Sequence, residues 1–208
     1  MSNRPGLVGF DLDMTLIDSR EAILASFAAV ARETGVAIDP VGVDSRLGVK
    51  LEDELAHWFP AEQIEPAMAI YRRHYPLLSG PLTTALPGAR ESLAAVRSAG
   101  GRAVVITAKF EATARRSLND LRLAVDEVFG GVHGPEKGEV LATLAADAYV
   151  GDTPADVRAA VQAGAYPVGV ATGSFTGDDL RAAGAAVVLT ALTEFPAWYA
   201  QYRAEYRV

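Results

Sequence analysis

Short apolar runs alternate with stretches of helical periodicity along most of the chain. The apolar runs predict strands over residues 7–10, 102–107, 125–129, 147–150, 166–170 and 186–189. Apolar positions spaced three or four apart predict helices over residues 111–123, 137–144, 157–163, 178–183 and 192–202. Strands and helices that alternate in this way form a parallel sheet with helices on both faces. We therefore predict an α/β fold.

The segment from residue 18 to residue 81 interrupts this alternation, since it contains no convincing strand. Asp18, with Glu21 three residues later, is typical of a capping box at the start of a helix. Two further helices are predicted over residues 51–59 and 64–75, separated by Pro60 and Pro66. We predict a helical cap domain, residues 18–81, inserted in a core formed by residues 1–17 and 82–208.

Acidic and hydroxyl residues follow the predicted strands. Asp11 and Asp13 come directly after the first apolar run, and in an extended backbone residues i and i+2 point to the same side. Two buried carboxylates this close are costly without a compensating cation, so the pair indicates a site. Thr107 ends the second strand, and a GDTPAD stretch that contains Asp152 and Asp156 follows a later one. Because ligands of parallel sheets bind beyond the carboxyl ends of the strands, we expect these residues at one site.

Composition limits the classes of function. Hydrophobic residues make up 50% of the chain and charged residues 22%, which is typical of a globular protein. The net charge of −7, with scattered Lys and Arg, argues against nucleic acid or an anionic membrane as a partner. The absence of cysteine excludes disulfides, zinc–thiolate sites and thiol catalysis. Arg4 is the only basic residue before the acidic loop, which is unlike a signal peptide, so we expect a cytoplasmic protein.

In their order along the chain, these residues resemble the four motifs of the haloacid dehalogenase superfamily. The matching positions are Asp11 and Asp13 in the first motif, Thr107 in the second, Lys137 in the third, and Asp152 and Asp156 in the fourth. The resemblance covers the whole chain and implies a Rossmann-like core with a cap at the predicted insertion. It also implies a Mg²⁺-dependent phosphatase of small phosphorylated metabolites, similar to the phosphoglycolate phosphatase branch.

The resemblance implies roles for the acidic residues. Asp11 would be the nucleophile that forms an aspartyl phosphate, and Asp13 would act as general acid and then as general base. The carboxylates of Asp11 and Asp152 and the main-chain carbonyl of Asp13 would hold Mg²⁺, which prefers hard oxygen ligands. Asp156 would orient Asp152 or a bound water. As an alternative, Asp152 and Asp156 would only cap the following helix.

Basic residues and backbone amides would bind the phosphate group. Thr107 and the backbone amide of Ala108 would hold the phosphoryl oxygens, and Lys137 would reduce the repulsion between nucleophile and phosphate. Lys109, two residues past Thr107, is an alternative for the motif lysine. In the cap, Lys50 belongs to a loop that could reach the site, and it is the expected substrate contact.

The chain departs from the family pattern near two of these motifs. Gly138 follows Lys137, where the family often has proline. Met14 stands where many relatives carry glycine, which predicts a backbone without a positive φ at this position.

Other functions remain open at this point. A mutase that returns the phosphoryl group to a sugar is the nearest alternative within the superfamily. A dehalogenase is disfavoured, because its chemistry needs neither Asp13 nor a metal-binding Asp152. Outside enzymes, a phospho-accepting receiver or a non-catalytic binding module would also place acidic residues at such a site. We expect a monomer or a homodimer.

Overall fold

The structure, a computed structural model, describes residues 6–206, so Arg4 lies outside the described residues. The strands are β1 (Leu7–Phe10), β2 (Ile17–Asp18), β3 (Thr84–Ala85), β4 (Arg102–Thr107), β5 (Glu127–Gly130), β6 (Ala148–Gly151), β7 (Tyr166–Val170) and β8 (Val187–Leu189). The helices are α1 (Arg20–Thr34), α2 (Pro40–Ser45), α3 (Leu51–Leu55), α4 (Ala61–Leu82), α5 (Ala89–Ser98), α6 (Glu111–Asp120), α7 (Pro135–Leu144), α8 (Pro154–Ala163), α9 (Gly177–Ala182) and α10 (Phe195–Tyr206). A short 3₁₀ helix, Leu192–Glu194, precedes α10.

Six strands form one parallel sheet in the order β5-β4-β1-β6-β7-β8. The first strand of the chain lies at its centre, where Val8 pairs with Ala103 on one side and with Ala148 on the other. Strands that are covered on both faces are apolar throughout, which explains the continuous runs in the sequence. The predicted α/β fold with a Rossmann-like parallel sheet is confirmed.

Helices cover both faces of this sheet. On one face, Val8 and Phe10 pack with residues of α5, α6 and α10. On the other face, Leu7, Val104 and Ile106 pack with residues of α7 and α8. Alternate residues of each strand therefore enter different clusters, as the two-residue period of a strand requires. This packing fixes the carboxyl ends of β1, β4 and β6 side by side.

Helices α1 to α4 follow β2 in the chain and enclose a separate apolar cluster. Its buried members include Phe27, Val30, Val43, Leu55 and Met68. The short strands β2 and β3 pair antiparallel where the chain enters and leaves these helices. The division into a core and a cap at residues 18–81 stays a prediction, and α4 runs one residue past its second boundary.

Two expectations about the inserted helices are wrong. Ser19, not Asp18, is the N-cap of α1, and its hydroxyl donates to Asp13. Asp18 Oδ1 does accept from the backbone N–H of Arg20, the first residue of α1, at 3.1 Å, but not as part of the predicted capping box. Pro66 does not separate helices but lies inside the 22-residue helix α4, together with Pro76 and Pro81. An apolar stripe along α4 packs against α1, and the burial of this stripe stabilises the helix by more than the loss of the backbone hydrogen bonds at the prolines costs.

None of the helices within residues 6–206 has both the length and the hydropathy that a membrane crossing demands.

Candidate active site

The carboxyl ends of three neighbouring strands bring the predicted residues together. Asp11 follows β1, Thr107 ends β4, and Asp152 follows β6. All three side chains are buried. The backbone N–H of Asp11 donates to the carbonyl of Val150 at 2.8 Å, so the ladder between β1 and β6 holds Asp11 beyond the end of its strand. The edge of the sheet therefore fixes the backbone from which these side chains project.

Asp11, Asp152 and Asp156 are buried close together, and one carboxylate oxygen of each lies within 4.8 Å of the others. Lys137 is also buried, and its Nζ donates to Asp11 at 2.8 Å and to Asp156 at 2.6 Å. We call these four residues the acidic cluster. Three carboxylates thus share a single ammonium group away from water. Such an excess of buried negative charge is costly unless a further cation offsets it.

Burial and the neighbouring charges shift the pKa values of these groups. Burial raises the pKa of Asp11 to about 7, against the opposing effect of Lys137. Burial, and then the charges of Asp156 and Asp11, raise the pKa of Asp152 well above its usual value. Burial would lower the pKa of Lys137, but the carboxylates of Asp11 and Asp156 hold it well above its usual value. Lys137 therefore stays charged, and the cluster favours additional positive charge.

Asp156 reaches this cluster because of the turn between β6 and α8. Thr153 caps α8, and its hydroxyl and backbone N–H donate to Oδ2 of Asp156 at 2.6 and 3.2 Å. The other oxygen of Asp156 accepts from Lys137. A Cβ at Gly151 would overlap the Asp156 side chain, so this position requires glycine. Asp156 thus caps the helix, as one of the two alternatives held, and it also pairs with Lys137, which the sequence did not predict.

Asp152 takes no part in that cap. Its Oδ1 accepts a hydrogen bond of 3.0 Å from the buried hydroxyl of Thr15. A Cβ at Gly173, in the loop after β7, would overlap the carboxylate. Asp152 is therefore oriented by Thr15 and closely covered by backbone, which leaves it available as a ligand in the cluster.

Asp13 belongs to a second ion pair. Lys109 donates to both of its oxygens, at 2.7 and 3.0 Å, and Ser19 donates to Oδ1 at 2.5 Å. The ammonium of Lys109 lies 4.5 Å from the centre of the Tyr75 ring, a cation–π contact from helix α4. The two candidate lysines therefore divide between the two carboxylates of the first motif: Lys137 contacts Asp11, and Lys109 contacts Asp13.

The expectation for Met14 is wrong, because its φ is +59°. The turn after Asp13 folds back so that the N–H of Met14 donates to the carbonyl of Ile17 at 2.8 Å. Thr172, from the loop after β7, donates to the carbonyl of Met14 at 2.6 Å. These contacts hold a non-glycine residue in the left-handed region despite its steric cost.

A cavity of about 590 Å³ lies between the sheet edge and the inserted helices. Among its lining residues are five of the predicted ones: Asp11, Asp13, Lys50, Thr107 and Ala108. Thr107 Oγ1 accepts from the backbone N–H of Lys109 at 3.2 Å, which fixes the turn that follows β4. Lys50 pairs with Glu136 at the start of α7, at 3.0 Å. Lys137, Asp152 and Asp156 are not among the lining residues of this cavity, and Lys137 contacts both Asp11 and Asp156.

The acidic cluster fits a Mg²⁺ ion by its donor chemistry. Its carboxylates supply hard oxygen atoms, one from each residue, that lie within 4.8 Å of one another, and the hydrogen bond that Asp152 accepts comes from the neutral hydroxyl of Thr15. Burial, together with the neighbouring carboxylates, raises the pKa values of Asp11 and Asp152, and a divalent cation would stabilise their charged forms. Asp156, expected to orient Asp152 or a bound water, places an oxygen within 4.8 Å of both Asp11 and Asp152.

Sequence reasoning missed several side chains of the site. Ser19 and Thr15 were not assigned contacts, although each donates to a carboxylate of the site. Tyr149, in the middle of β6, donates to the carbonyl of Ile106 at 2.8 Å and contacts Asp156 at 3.3 Å. The sequence contained a signal for Thr15, which stands two residues after Asp13 in the first motif. It contained no signal for Tyr149, since aromatic residues are common in buried strands.

Comparison with known proteins agrees with this geometry. Residues 8–170 match the sequence profile of the family described as haloacid dehalogenase-like hydrolase. The chain is 32% identical to the probable phosphatase IndB of Dickeya dadantii, over 90% of each chain. It is 31% identical to a phosphoglycolate phosphatase of Aquifex aeolicus, over 74% of this chain and 79% of that one.

A solved structure shows the same fold. A haloacid dehalogenase-like hydrolase from Streptococcus pneumoniae superimposes with a TM-score of 0.83 and 24% identity, over 93% of this chain and 98% of that one. The profile match spans well over half of the chain and includes both acidic motifs of the cluster. The protein with this sequence is therefore a member of the haloacid dehalogenase-like hydrolase family.

Proposed function

We propose that this protein is a Mg²⁺-dependent phosphatase of small phosphorylated metabolites that works through an aspartyl phosphate on Asp11. The observation that carries this proposal is the acidic cluster, in which Asp11 lines the cavity and also forms an ion pair with the buried Lys137. The names of two relatives, a probable phosphatase and a phosphoglycolate phosphatase, support the same reaction class.

In the proposed reaction, the phosphate group binds at the end of β4. The hydroxyl of Thr107 and the backbone amide of Ala108 hold its oxygens next to Asp11, since both residues line the cavity beside it. Lys137 offsets the negative charge of Asp11 and stays protonated throughout, because Asp156 also stabilises its ammonium. Bound by Asp11 and Asp152, Mg²⁺ would supply the positive charge that lets a carboxylate approach a phosphate dianion.

Two transfers complete the reaction. An oxygen of Asp11 attacks phosphorus, the bond from phosphorus to the ester oxygen breaks, and protonated Asp13 gives its proton to the departing alkoxide. Asp13 then removes a proton from the water that attacks the aspartyl phosphate, which restores Asp11 and releases inorganic phosphate. Lys109 and Ser19 donate to Asp13 in its carboxylate form, the form that acts as base toward the water.

A panel of phosphate esters assayed with and without Mg²⁺ tests the proposal. We expect release of inorganic phosphate that depends on Mg²⁺ and is abolished by excess chelator. Isomerised sugar phosphate without net phosphate release would indicate a mutase instead. A stable phosphoprotein without turnover would indicate a receiver, and no reaction with any ester would reject the phosphatase.

Metal binding has a readout that does not depend on turnover. Mg²⁺ at 100 times its dissociation constant should stabilise the folded protein by about 2.7 kcal/mol, seen as a rise in the melting temperature. Asp152→Asn should remove most of this rise, because it removes a carboxylate from the cluster. Asp178→Asn is the matched control, since Asp178 lies on the surface in α9 and pairs only with nearby Arg181. Equal rises in both variants would contradict the assignment of the metal to the acidic cluster.

A further inference from the structure

The side of the cavity that faces the inserted helices is apolar. Lining residues there include Ile23, Phe27, Val43, Leu47, Met68 and Tyr71. A volume of about 590 Å³ falls in the range of roughly 300–1,000 Å³ that accommodates drug-sized ligands. The alcohol part of a phosphoglycolate is a small carboxylate, which would leave most of this apolar surface in contact with water. The cavity is therefore larger and more apolar than such a substrate requires.

Three aromatic side chains line this part of the cavity in a row. The rings of Phe27 and Tyr71 lie 5.1 Å apart between centres, and those of Tyr71 and Tyr75 lie 5.5 Å apart and are stacked. We call Phe27, Tyr71 and Tyr75 the aromatic row. It begins at Tyr75, which contacts Lys109 beside Asp13, and it leads away from the sheet towards helix α1. A group attached to an oxygen next to Asp13 would lie along these rings.

The charged groups Arg46 and Glu54, on the same side of the cavity, are paired with each other. Arg46 donates to both oxygens of the buried Glu54, at 2.7 Å each, and Trp58 donates to Glu54 at 2.9 Å. The positive charge of Arg46 is thus neutralised within the helices, which leaves it a poor site for a substrate carboxylate. Arg72 also lines the cavity, but its side chain is 54% exposed, at the mouth of the cavity.

From these observations we propose that the preferred substrates are phosphate monoesters whose alcohol carries an apolar group about the size of a ring. The aromatic row, with Met68 beside it, would bind that group and set specificity. Aromatic side chains bind rings through offset or edge-to-face contacts at centre distances of about 4.5–7 Å. The inference rests on the proposed phosphatase function, since it assigns the alcohol of the ester cleaved at Asp11.

A series of alkyl phosphates with similar leaving groups tests this inference. Ethyl, butyl, hexyl and 2-phenylethyl phosphate are assayed with Mg²⁺ beside 2-phosphoglycolate. Each added methylene that enters the cavity should raise kcat/KM about fourfold, from the transfer free energy of a buried methylene. Hexyl and 2-phenylethyl phosphate should therefore exceed ethyl phosphate on the order of 10²-fold. A flat or falling series, or 2-phosphoglycolate as the best substrate, would overturn the inference while leaving the phosphatase intact.

A variant in the row sharpens this test. Tyr71→Leu removes the central ring and should lower kcat/KM for 2-phenylethyl phosphate about tenfold, mainly through KM, with ethyl phosphate changed less than twofold. Leu77→Ala, on the same helix but 72% exposed, is the matched control and should alter neither substrate. Equal losses for the two esters would show that Tyr71 only supports the fold. Phe27→Leu gives a second, independent variant if Tyr71→Leu does not fold.

Binding without turnover separates this inference from the proposed reaction. On the wild-type protein with Mg²⁺, calorimetry should find that 2-phenylethylphosphonate binds on the order of 10²-fold more tightly than ethylphosphonate. If no ester is hydrolysed but this preference holds, the phosphatase is rejected and the apolar site stands. Equal affinities for the two phosphonates would overturn the apolar site whatever the activity.

Discussion

The acidic cluster, which meets the cavity at Asp11, and the aromatic row, which lines the same cavity, are built in different ways. Asp11 and Asp152 follow strands that are paired on both sides, and hydrogen bonds hold at least one oxygen of each carboxylate in the cluster. The row belongs to helices α1 and α4, which are held by side-chain packing. Backbone pairing therefore fixes the positions of Asp11 and Asp152, whereas the packing of side chains determines the shape of the cavity beside the aromatic row.

The two sides also differ in charge. The cluster holds three carboxylates against one ammonium. On the other side, Arg46 and Glu54 neutralise each other. Buried charge tolerates little change, because removal of one partner leaves the other uncompensated. Substitutions should therefore have large effects in the cluster and small, ligand-dependent effects around the row.

Asp11→Asn should have the largest effect. The amide keeps the size of the side chain but cannot attack phosphorus, so turnover should fall by at least about 10⁴-fold. The rate of phosphate release with a saturating ester and Mg²⁺ measures this loss. Circular dichroism checks that the variant is folded. Turnover within tenfold of wild type would rule out Asp11 as the nucleophile.

Asp13→Asn should act mainly on esters with poor leaving groups. An alkoxide needs a proton as it departs, and general acid catalysis is worth about 10²–10⁴ in rate. Phosphoenzyme formation should fall by that factor for an alkyl phosphate and much less for p-nitrophenyl phosphate, whose phenolate leaves as an anion. Rapid-mixing measurements with the two substrates report this step. The same loss with both would mean that Asp13 positions the ester rather than protonating it.

The two lysines should differ in their effect on stability. Lys137→Met removes the ammonium that pairs with two buried carboxylates, Asp11 and Asp156, and should lower the free energy of unfolding by about 3–5 kcal/mol. Lys109→Met should cost about 1–3 kcal/mol, since its partner Asp13 is less buried and keeps the bond from Ser19. Urea unfolding in the presence of chelator compares them. A larger loss for Lys109→Met would reverse the assigned order of the two ion pairs.

Met68→Leu should have the smallest effect. Exchange of these side chains nearly conserves volume, so the free energy of unfolding should change by less than about 1.5 kcal/mol. The order of preference along the alkyl phosphate series should also be kept, because the site stays apolar. Thermal unfolding and the ester series measure both quantities. A loss of the preference would show that the cavity depends on the exact shape of Met68.

Much of the fold and of the cluster is predictable from the sequence, because local patterns determine both. Runs of apolar residues locate the strands β1, β4 and β7 to the residue. Asp11, Thr107 and Asp152 follow from their places at strand ends, since neighbouring parallel strands present these ends at one edge. The roles assigned to these residues stay predictions, as does that of Lys50.

What the sequence does not reveal depends on contacts between distant segments. The pair of Asp13 and Lys109 joins residues 96 positions apart, and the aromatic row needs α1 and α4 to pack as they do. The positive φ of Met14 is held by Thr172, from a loop at the other end of the chain. Such features arise only when tertiary packing selects one of several conformations that each segment allows.

Helix α4 carries Pro76 directly after Tyr75, the member of the aromatic row beside Lys109. Proline has no N–H, so the carbonyl of Arg72 lacks its usual helical partner and the helix resists bending less there. The mechanical compliance of the cavity wall is therefore raised next to Asp13 and Lys109. Bending of α4 at this point would widen the cavity without any change in the strands that hold Asp11.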